Sequence, residues 1–404
     1  MSKESPRDTG RENQPGNERS EYTVTIRALP RFLALYTALF AAFGVVSPFF
    51  GAFLGERGLG SEAIGLVLAA GTATRLLAGP AGGRLADRVG MPRVVLAGYA
   101  AAAACVAFFY LPASGLSLLL MVGILHAATL APLTPIADAL SVEASARERF
   151  PYGWVRAAGS GAFILGTVLS GQAVARFGLT AIIWLNGVLL GVTAFLAWRV
   201  PDLLSGHALV GRQRFGGIGA LLRLPGFSRL MLVAALIQGS HAMHDGFVVI
   251  YWRSAGISDS TISMLWSESV AGEVVTFLLL GPWLLDRLGP GWAAILSAVG
   301  GIVRWVVLAE TSSVAASALV EPLHGLTFAL QHLACMRLIG ALVPPRLAAT
   351  AQAFYGTIAV GMASALLTLA SGSLYARLGA GGFLVMAGLC AAAIPIAWGL
   401  PQRS

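Results

Sequence analysis

Blocks of about twenty apolar residues, repeated along most of the chain and parted by short polar breaks, decide what this sequence can fold into. A bilayer's hydrocarbon core is ~30 Å thick, and a helix rising about 1.5 Å per residue crosses it in roughly 20 residues. Backbone N–H and C=O groups find no water there, so each crossing segment must satisfy its own, which a helix does. With 56% apolar and 11% charged residues, a soluble globular domain is excluded. The blocks predict spans near 32–54, 62–82, 94–112, 115–140, 157–174 and 179–199. A second set follows near 229–252, 261–283, 291–309, 314–341, 348–371 and 380–399. The expected fold is all-α and polytopic, with twelve transmembrane helices in two six-helix halves. Residues 1–28 read as a disordered tail, 29–200 as the first half, 201–227 as a central loop and 228–404 as the second half.

Arginines set the orientation. Arg7, Arg11, Arg19, Arg27 and Arg31 fall on one side, with Arg84, Arg147, Arg149, Arg212, Arg214, Arg223 and Arg346 in later breaks of that side. The other side offers little beyond Arg57, Arg176, Arg253 and Arg377. The richer side is cytoplasmic by the positive-inside rule, so both termini are expected inside a bacterial-type inner membrane. The net charge of +8 is therefore a topology signal, and no nucleic-acid partner is expected. Cys105, Cys335 and Cys390 stand singly in apolar blocks and read as buried free thiols. The segment 211–226 is basic with some apolar residues, as in a helix lying on the inner surface. Neither a Walker loop nor a His-Glu-x-x-His motif occurs, so no ATP drive, metal, cofactor or enzyme activity is expected.

The halves echo one another. Gly83-Arg-Leu-Ala-Asp87-Arg88-Val-Gly90, with Arg93 beyond it, follows the second span, and Asp286-Arg287-Leu-Gly289 follows the eighth. Parallel six-helix repeats of this kind place a substrate site between the halves near the midplane. The Gly-x-x-x-Asp-Arg-x-Gly pattern resembles the signature loop of the major facilitator superfamily. Further stretches resemble its phenylpropionate-permease-like branch, related to the lactose-permease and nucleoside–proton symporters. They include Tyr152-Gly-Trp-Val-Arg156-Ala-Ala-Gly159, Ser240-His241-Ala, Leu265-Trp266, Gly272-Glu273, Val303-Arg304-Trp305 and Leu323-His324-Gly325. The resemblance implies secondary transport by alternating access. It also implies an inner latch built from the motif loop, with Asp138 and Arg156 as a partner pair. After Ser-His-Ala the branch tends to carry two tyrosines, whereas this chain has His244-Asp245.

Ionisable side chains inside spans cost roughly 3 kcal/mol each at the bilayer centre and are functional candidates by default. His241, His244 and Asp245 stand at i, i+3 and i+4, on one face of the seventh helix. Glu273 sits near the middle of the eighth, and Glu268, five residues earlier, points elsewhere. Glu273 is the first candidate for a proton-carrying carboxylate, with Asp245, His241 and Glu268 behind it. A salt bridge from Arg304 to one of these glutamates is the alternative. Glu321, His324, Gln331 and His332 read as one polar stripe lining an aqueous path. Arg75 and His126 are the central ionisable groups of the first half. Arg75 either grips a substrate carboxylate with its planar fork or balances an internal acid. Trp266 joins the cavity candidates. The aromatic residues of the first helix, Tyr36, Phe40, Phe43, Phe49 and Phe50, read as packing or lipid-facing surface.

The expectation is a monomeric carrier moving a small organic solute (aromatic acid, nucleoside or sugar-like) together with protons. Its rivals are a proton-coupled exporter of drugs or metabolites, and a non-transporting sensor built on a carrier fold.

Overall fold

The computed structural model describes residues 28–201 and 218–402. The tail and most of the central loop, including 211–217 of the basic segment, lie outside the described residues. At the end of that loop, 218–222 form a short helix.

Ten helical runs are long and apolar enough to cross a membrane. The backbone adjusts that number in two places. The run Pro345–Ala397 holds 53 residues, enough for two crossings, and turns back at Gly379, whose φ of 55° suits only a residue without Cβ. Phe227–Gly239 and Ala242–Ser254, 13 residues each, are singly too short to span and together make one broken crossing. The chain thus agrees with the twelve-span reading. The first six are α1 (Leu29–Val46, continued as Phe50–Glu56), α2 (Ser61–Val89), α3 (Pro92–Phe109), α4 (Leu116–Glu148), α5 (Tyr152–Phe177) and α6 (Ala181–Arg199). Then come α7 (the broken pair), α8 (Asp259–Leu288), α9 (Pro290–Glu310), α10 (Val314–Leu342), α11 (345–378) and α12 (Gly382–Ala397). The described residues contain no strand.

Proline and glycine explain the punctuation. Pro48 sits in the break of α1 and Pro132 in that of α4, where the ring removes a donor and crowds the preceding turn. Pro92 and Pro290 open α3 and α9, where the missing N–H costs nothing. Several helices outrun their apolar blocks: α2 reaches Val89 rather than 82, and α4 reaches Glu148 rather than 140. Past the hydrocarbon, charged turns remain helical, so hydropathy marks the slab and not the helix end.

Packing repeats every six spans. In the first half α1 lies against α5 and α6, α2 against α4, and α3 against α6. In the second, α7 lies against α11 and α12, α8 against α10, and α9 against α12. The halves meet along α2–α11 and α5–α8, a pair of contacts that exchange under the same six-span shift. Besides Gly361 against Leu76 near mid-helix, close approaches cluster at the end away from the chain termini. A Cβ on Gly65 would sit 2.9 Å from Gly372 Cα, and one on Gly171 would sit 2.4 Å from Ser263 Cβ. Gly51 meets the Gly246 carbonyl in the same way at 2.5 Å.

Cys335 and Cys390 are buried as expected. Cys105 is not: it lies on an exposed face of α3, which a lipid tail covers as readily as protein would.

Overpacking a tight helix contact typically costs about 1–3 kcal/mol. Gly65→Val is therefore expected to lower the thermal midpoint of the detergent-solubilised protein by several degrees. Gly98→Val, where a Cβ meets nothing within 4 Å, is expected to leave it unchanged.

Candidate functional site

A cavity of about 710 Å³ lies between the halves. That volume falls within the range of small-molecule sites, about 300–1,000 Å³. Of the ionisable candidates, Arg75 and His126 reach its wall from the first half. His241, His244, Asp245, Glu273 and His324 reach it from the second, together with Trp266. Glu268, Arg304, Glu321, Gln331 and His332 do not line it.

Arg304 and Glu321 form an ion pair of 2.7 Å, both side chains wholly buried. The expected bridge from Arg304 to Glu273 or Glu268 is therefore replaced by one to Glu321. From this pair a chain of contacts runs in two directions. Glu321 Oε1 lies 3.1 Å from His244 Nε2, and His244 Nδ1 lies 3.2 Å from Asp245 Oδ1. Carboxylate oxygens only accept, so this geometry suits an imidazolium donating to both. His244 also stacks on Trp266, with ring centroids 5.1 Å apart and planes 25° off parallel. In the other direction Arg304 Nη1 donates to His324 Nδ1 at 3.0 Å. The His324 proton then belongs on Nε2, which faces Glu273 Oε2 at 3.5 Å. Arg304 Nη2 further lies 3.3 Å from His244 Nε2 and 3.4 Å from Ser269 Oγ. The line Asp245–His244–Glu321–Arg304–His324–Glu273 thus joins two cavity-facing carboxylates through a dry interior.

His241 stands apart from this line. Its Nδ1 donates to the Gln238 carbonyl at 3.0 Å, leaving Nε2 to accept the Thr327 hydroxyl at 2.9 Å. A neutral ring satisfies both contacts. It sits at the break of α7, where the backbone turns at Ser240 and His241 before the helix resumes.

Three further expectations are corrected. The stripe along α10 does not line one path: only His324 reaches the cavity, Glu321 and Gln331 are fully buried, and His332 bonds Tyr355 at 3.1 Å. A straight 3.6-residue period fails here because a π-segment, Gly325–Leu330, widens the turn between them. The first helix's aromatic residues are packing surface only in part, and some of them line the cavity instead. Tyr36 and Phe49 are buried, and Phe43 and Phe50 line the cavity. Lastly, the Asp138–Arg156 pair is not made among the described residues. Asp138 accepts the hydroxyls of Tyr36 and of Tyr152, the latter at 2.8 Å, while Arg156 lies over the Phe40 ring at 5.0 Å.

The motif loops are placed at the terminus-bearing end. Gly83 is buried within α2, which runs through Asp87 and Arg88 and closes at Gly90 with φ 68°. Arg93 lies 6.0 Å from the Trp198 ring. In the second half Arg287 stacks on Trp283, and Asp286 pairs with Arg337 at 2.8 Å. Arg337, hidden within the predicted tenth span, escaped the sequence reading; an arginine four residues from the end of an apolar block was the available signal. Tyr110, Phe328 and Asn186 were also missed as cavity residues. Nothing in their type distinguishes cavity from core.

The family model for the MFS_1-like family matches residues 30–385. The chain belongs to that family. Across 363 residues it is 33% identical to a probable 3-phenylpropionic acid transporter of Escherichia coli (strain K12), covering 88% of this chain and 94% of that one. It is 23% identical to the maltose permease of Geobacillus stearothermophilus, covering 89% and 91% respectively. Among solved structures, a point mutant of the nucleoside transporter NupG superposes with a TM-score of 0.83 at 16% identity, over 91% of this chain and 98% of that one. A bacterial homologue of the human lysosomal transporter Spinster, inward-facing and occupied, gives 0.72 at 15%, over 92% and 95%. The fold is thus the major facilitator fold. As a family member the chain is a multi-pass secondary transporter of small molecules, and its relatives are carriers rather than enzymes.

Breaking a buried ion pair from one side typically costs about 3–5 kcal/mol, whereas removing both charges costs far less. Arg304→Leu alone is expected to lower the thermal midpoint by about five degrees or to abolish the cooperative transition. Adding Glu321→Leu is expected to restore most of the loss, as read by unfolding in detergent.

Proposed function

We propose that the chain is a proton symporter carrying a small carboxylate-bearing organic solute inward across a bacterial-type inner membrane, with both termini cytoplasmic. One observation carries the reading: Arg75 faces the cavity and makes no hydrogen bond or ion pair among the described residues. Arginine held at membrane depth normally balances an internal acid. Here the internal acid Glu321 is already matched by Arg304, and the cavity-facing acids Asp245 and Glu273 lie against His244 and His324 rather than against Arg75. A substrate carboxylate, gripped by the planar guanidinium fork, supplies the missing charge.

Proton coupling follows from the facing wall. Glu273 looks into the cavity from the second half, and among the described residues its one ionisable neighbour in bonding range is His324. With substrate on Arg75 and a proton on Glu273, the cavity carries fewer uncompensated charges into the closed intermediate. Without the proton, Glu273 retains a charge that burial penalises. Loaded and protonated, the halves rock about the midplane. The crowding of Gly65, Gly171 and Gly51 against the opposite half, away from the termini, supports a cavity facing the cytoplasm in this conformation. Asp138, held by two tyrosines rather than by Arg156, is consistent with a released inner latch.

The test is uptake of labelled aromatic carboxylates into proteoliposomes with an acidic exterior. The gradient is expected to drive accumulation, and uptake indifferent to it would sink the coupling. Glu273→Gln is expected to lose accumulation yet keep substrate exchange. Arg75→Gln is expected to raise the half-saturating concentration about 10- to 100-fold, the scale of one charge-assisted hydrogen bond.

A further inference from the structure

The cavity wall carries a second open group, an acceptor across from the donors of Arg75. Asp245 lines the same wall, and its side chain is 61% exposed to the cavity space. One oxygen, Oδ1, takes His244 Nδ1 at 3.2 Å; the other has no partner among the described residues. The His244 imidazolium, donating to Asp245 and to Glu321, offsets the Asp245 charge from behind the wall but leaves that second oxygen open. The charges behind the wall are already matched, Arg304 with Glu321. What faces the solute is the Arg75 guanidinium on one half and, on the other, the carboxylates of Asp245 and Glu273, the latter holding the coupling proton in the loaded state.

The two lie at different depths. Gly246 on α7 is level with Leu68 on α2, since a Cβ there would sit 3.4 Å from Leu68 Cδ1. Arg75 lies seven residues further along α2, about 10 Å toward the terminus-bearing end. At that offset the two side chains make no ion pair with each other, and the cavity they share leaves room for a small bridging molecule. Phe43, Phe50, Tyr110 and Trp266 supply apolar wall between. Resting on the carboxylate reading of Arg75, we propose that the substrate is a zwitterion. Its carboxylate meets Arg75, its ammonium group meets Asp245, and an aromatic or similarly apolar body fills the space between the rings. A simple organic anion fits Arg75 equally well but brings no charge to Asp245. Selectivity then comes from the open Asp245 oxygen, which accepts from an ammonium group and offers a plain anion only repulsion.

Three congeners with one skeleton separate the possibilities: 3-phenylpropanoate (anion), 2-amino-3-phenylpropanoate (zwitterion) and 2-phenylethylamine (cation). Binding to the purified full chain is read by thermal shift and by competition in proteoliposome exchange. The zwitterion is expected to bind roughly 10- to 100-fold tighter than either single-charge congener, the scale of one charge-assisted contact. Asp245→Asn is expected to erase its advantage over 3-phenylpropanoate while leaving the anion bound, and Asp245→Glu to keep part of it. The comparison on the unaltered protein stands even if a variant fails to fold. Equal or tighter binding of 3-phenylpropanoate overturns the zwitterion assignment and leaves the carboxylate reading intact. Binding of the amine alone, or of none of the three, overturns both.

Discussion

Everything in the second half turns on placing Arg304 where there is no water. A lone guanidinium buried in an apolar slab is prohibitively costly, so its partner Glu321 is as much a requirement as a stabilising contact. Once the pair exists, its remaining donors and acceptors must also be met. Ser269 on α8, His244 on α7 and His324 on α10 meet them, which ties three further helices to one arginine on α9. The rotation of each of those helices is thereby fixed. Fixing it decides that Glu273, Asp245 and His324 present themselves to the cavity while Glu321 does not. The site is in this sense a by-product of electrostatic neutrality behind it.

The first half reaches the same cavity with little charge. Asn186 donates to the Ala42 carbonyl and Thr167 to that of Gly44, ordinary neutral contacts that hold α6 and α5 to α1. His126 leaves its buried Nε2 without a partner among the described residues, beside Tyr110 at 5.6 Å between rings. Arg75 is therefore a conspicuous charge in a quiet wall. The asymmetry between a networked half and a sparse one leaves this single guanidinium facing the cavity with no structural partner among the described residues.

Much of the fold was legible because the bilayer imposes a length, and length survives without any knowledge of contacts. Twelve blocks, the doubled Asp-Arg motif and the six-span repeat could all be read off residues. Helix ends could not, since Asp87 and Arg147 are polar yet helical. The site was half legible. Its residue types stood out, as charges in lipid-length blocks always do, but their allocation did not. Whether Glu321 meets water or Arg304 depends on helix rotation, and for α10 that rotation is shifted by a π-segment no residue pattern announces. The aromatic lining was invisible for another reason: Phe43 in a cavity wall and Phe49 in a packed core are the same residue type under the same periodicity. His244 and Asp245 are the clearest case of the reverse. They depart from the tyrosines expected of similar chains, and they stand in the cavity wall.

The π-segment in α10 has companions. Thr276–Leu280 in α8 and Tyr355–Met362 in α11 are also wound wide, and no described helix of the first half is. All three begin within a few residues of the buried network or of its polar neighbours His332 and Tyr355. Wide turns carry longer backbone rings and accommodate bending where it is least costly. The two repeats, alike in topology, are then unlike in stiffness. The places where a described helix is wound wide thus all fall in one repeat, beside the charges that repeat has to bury.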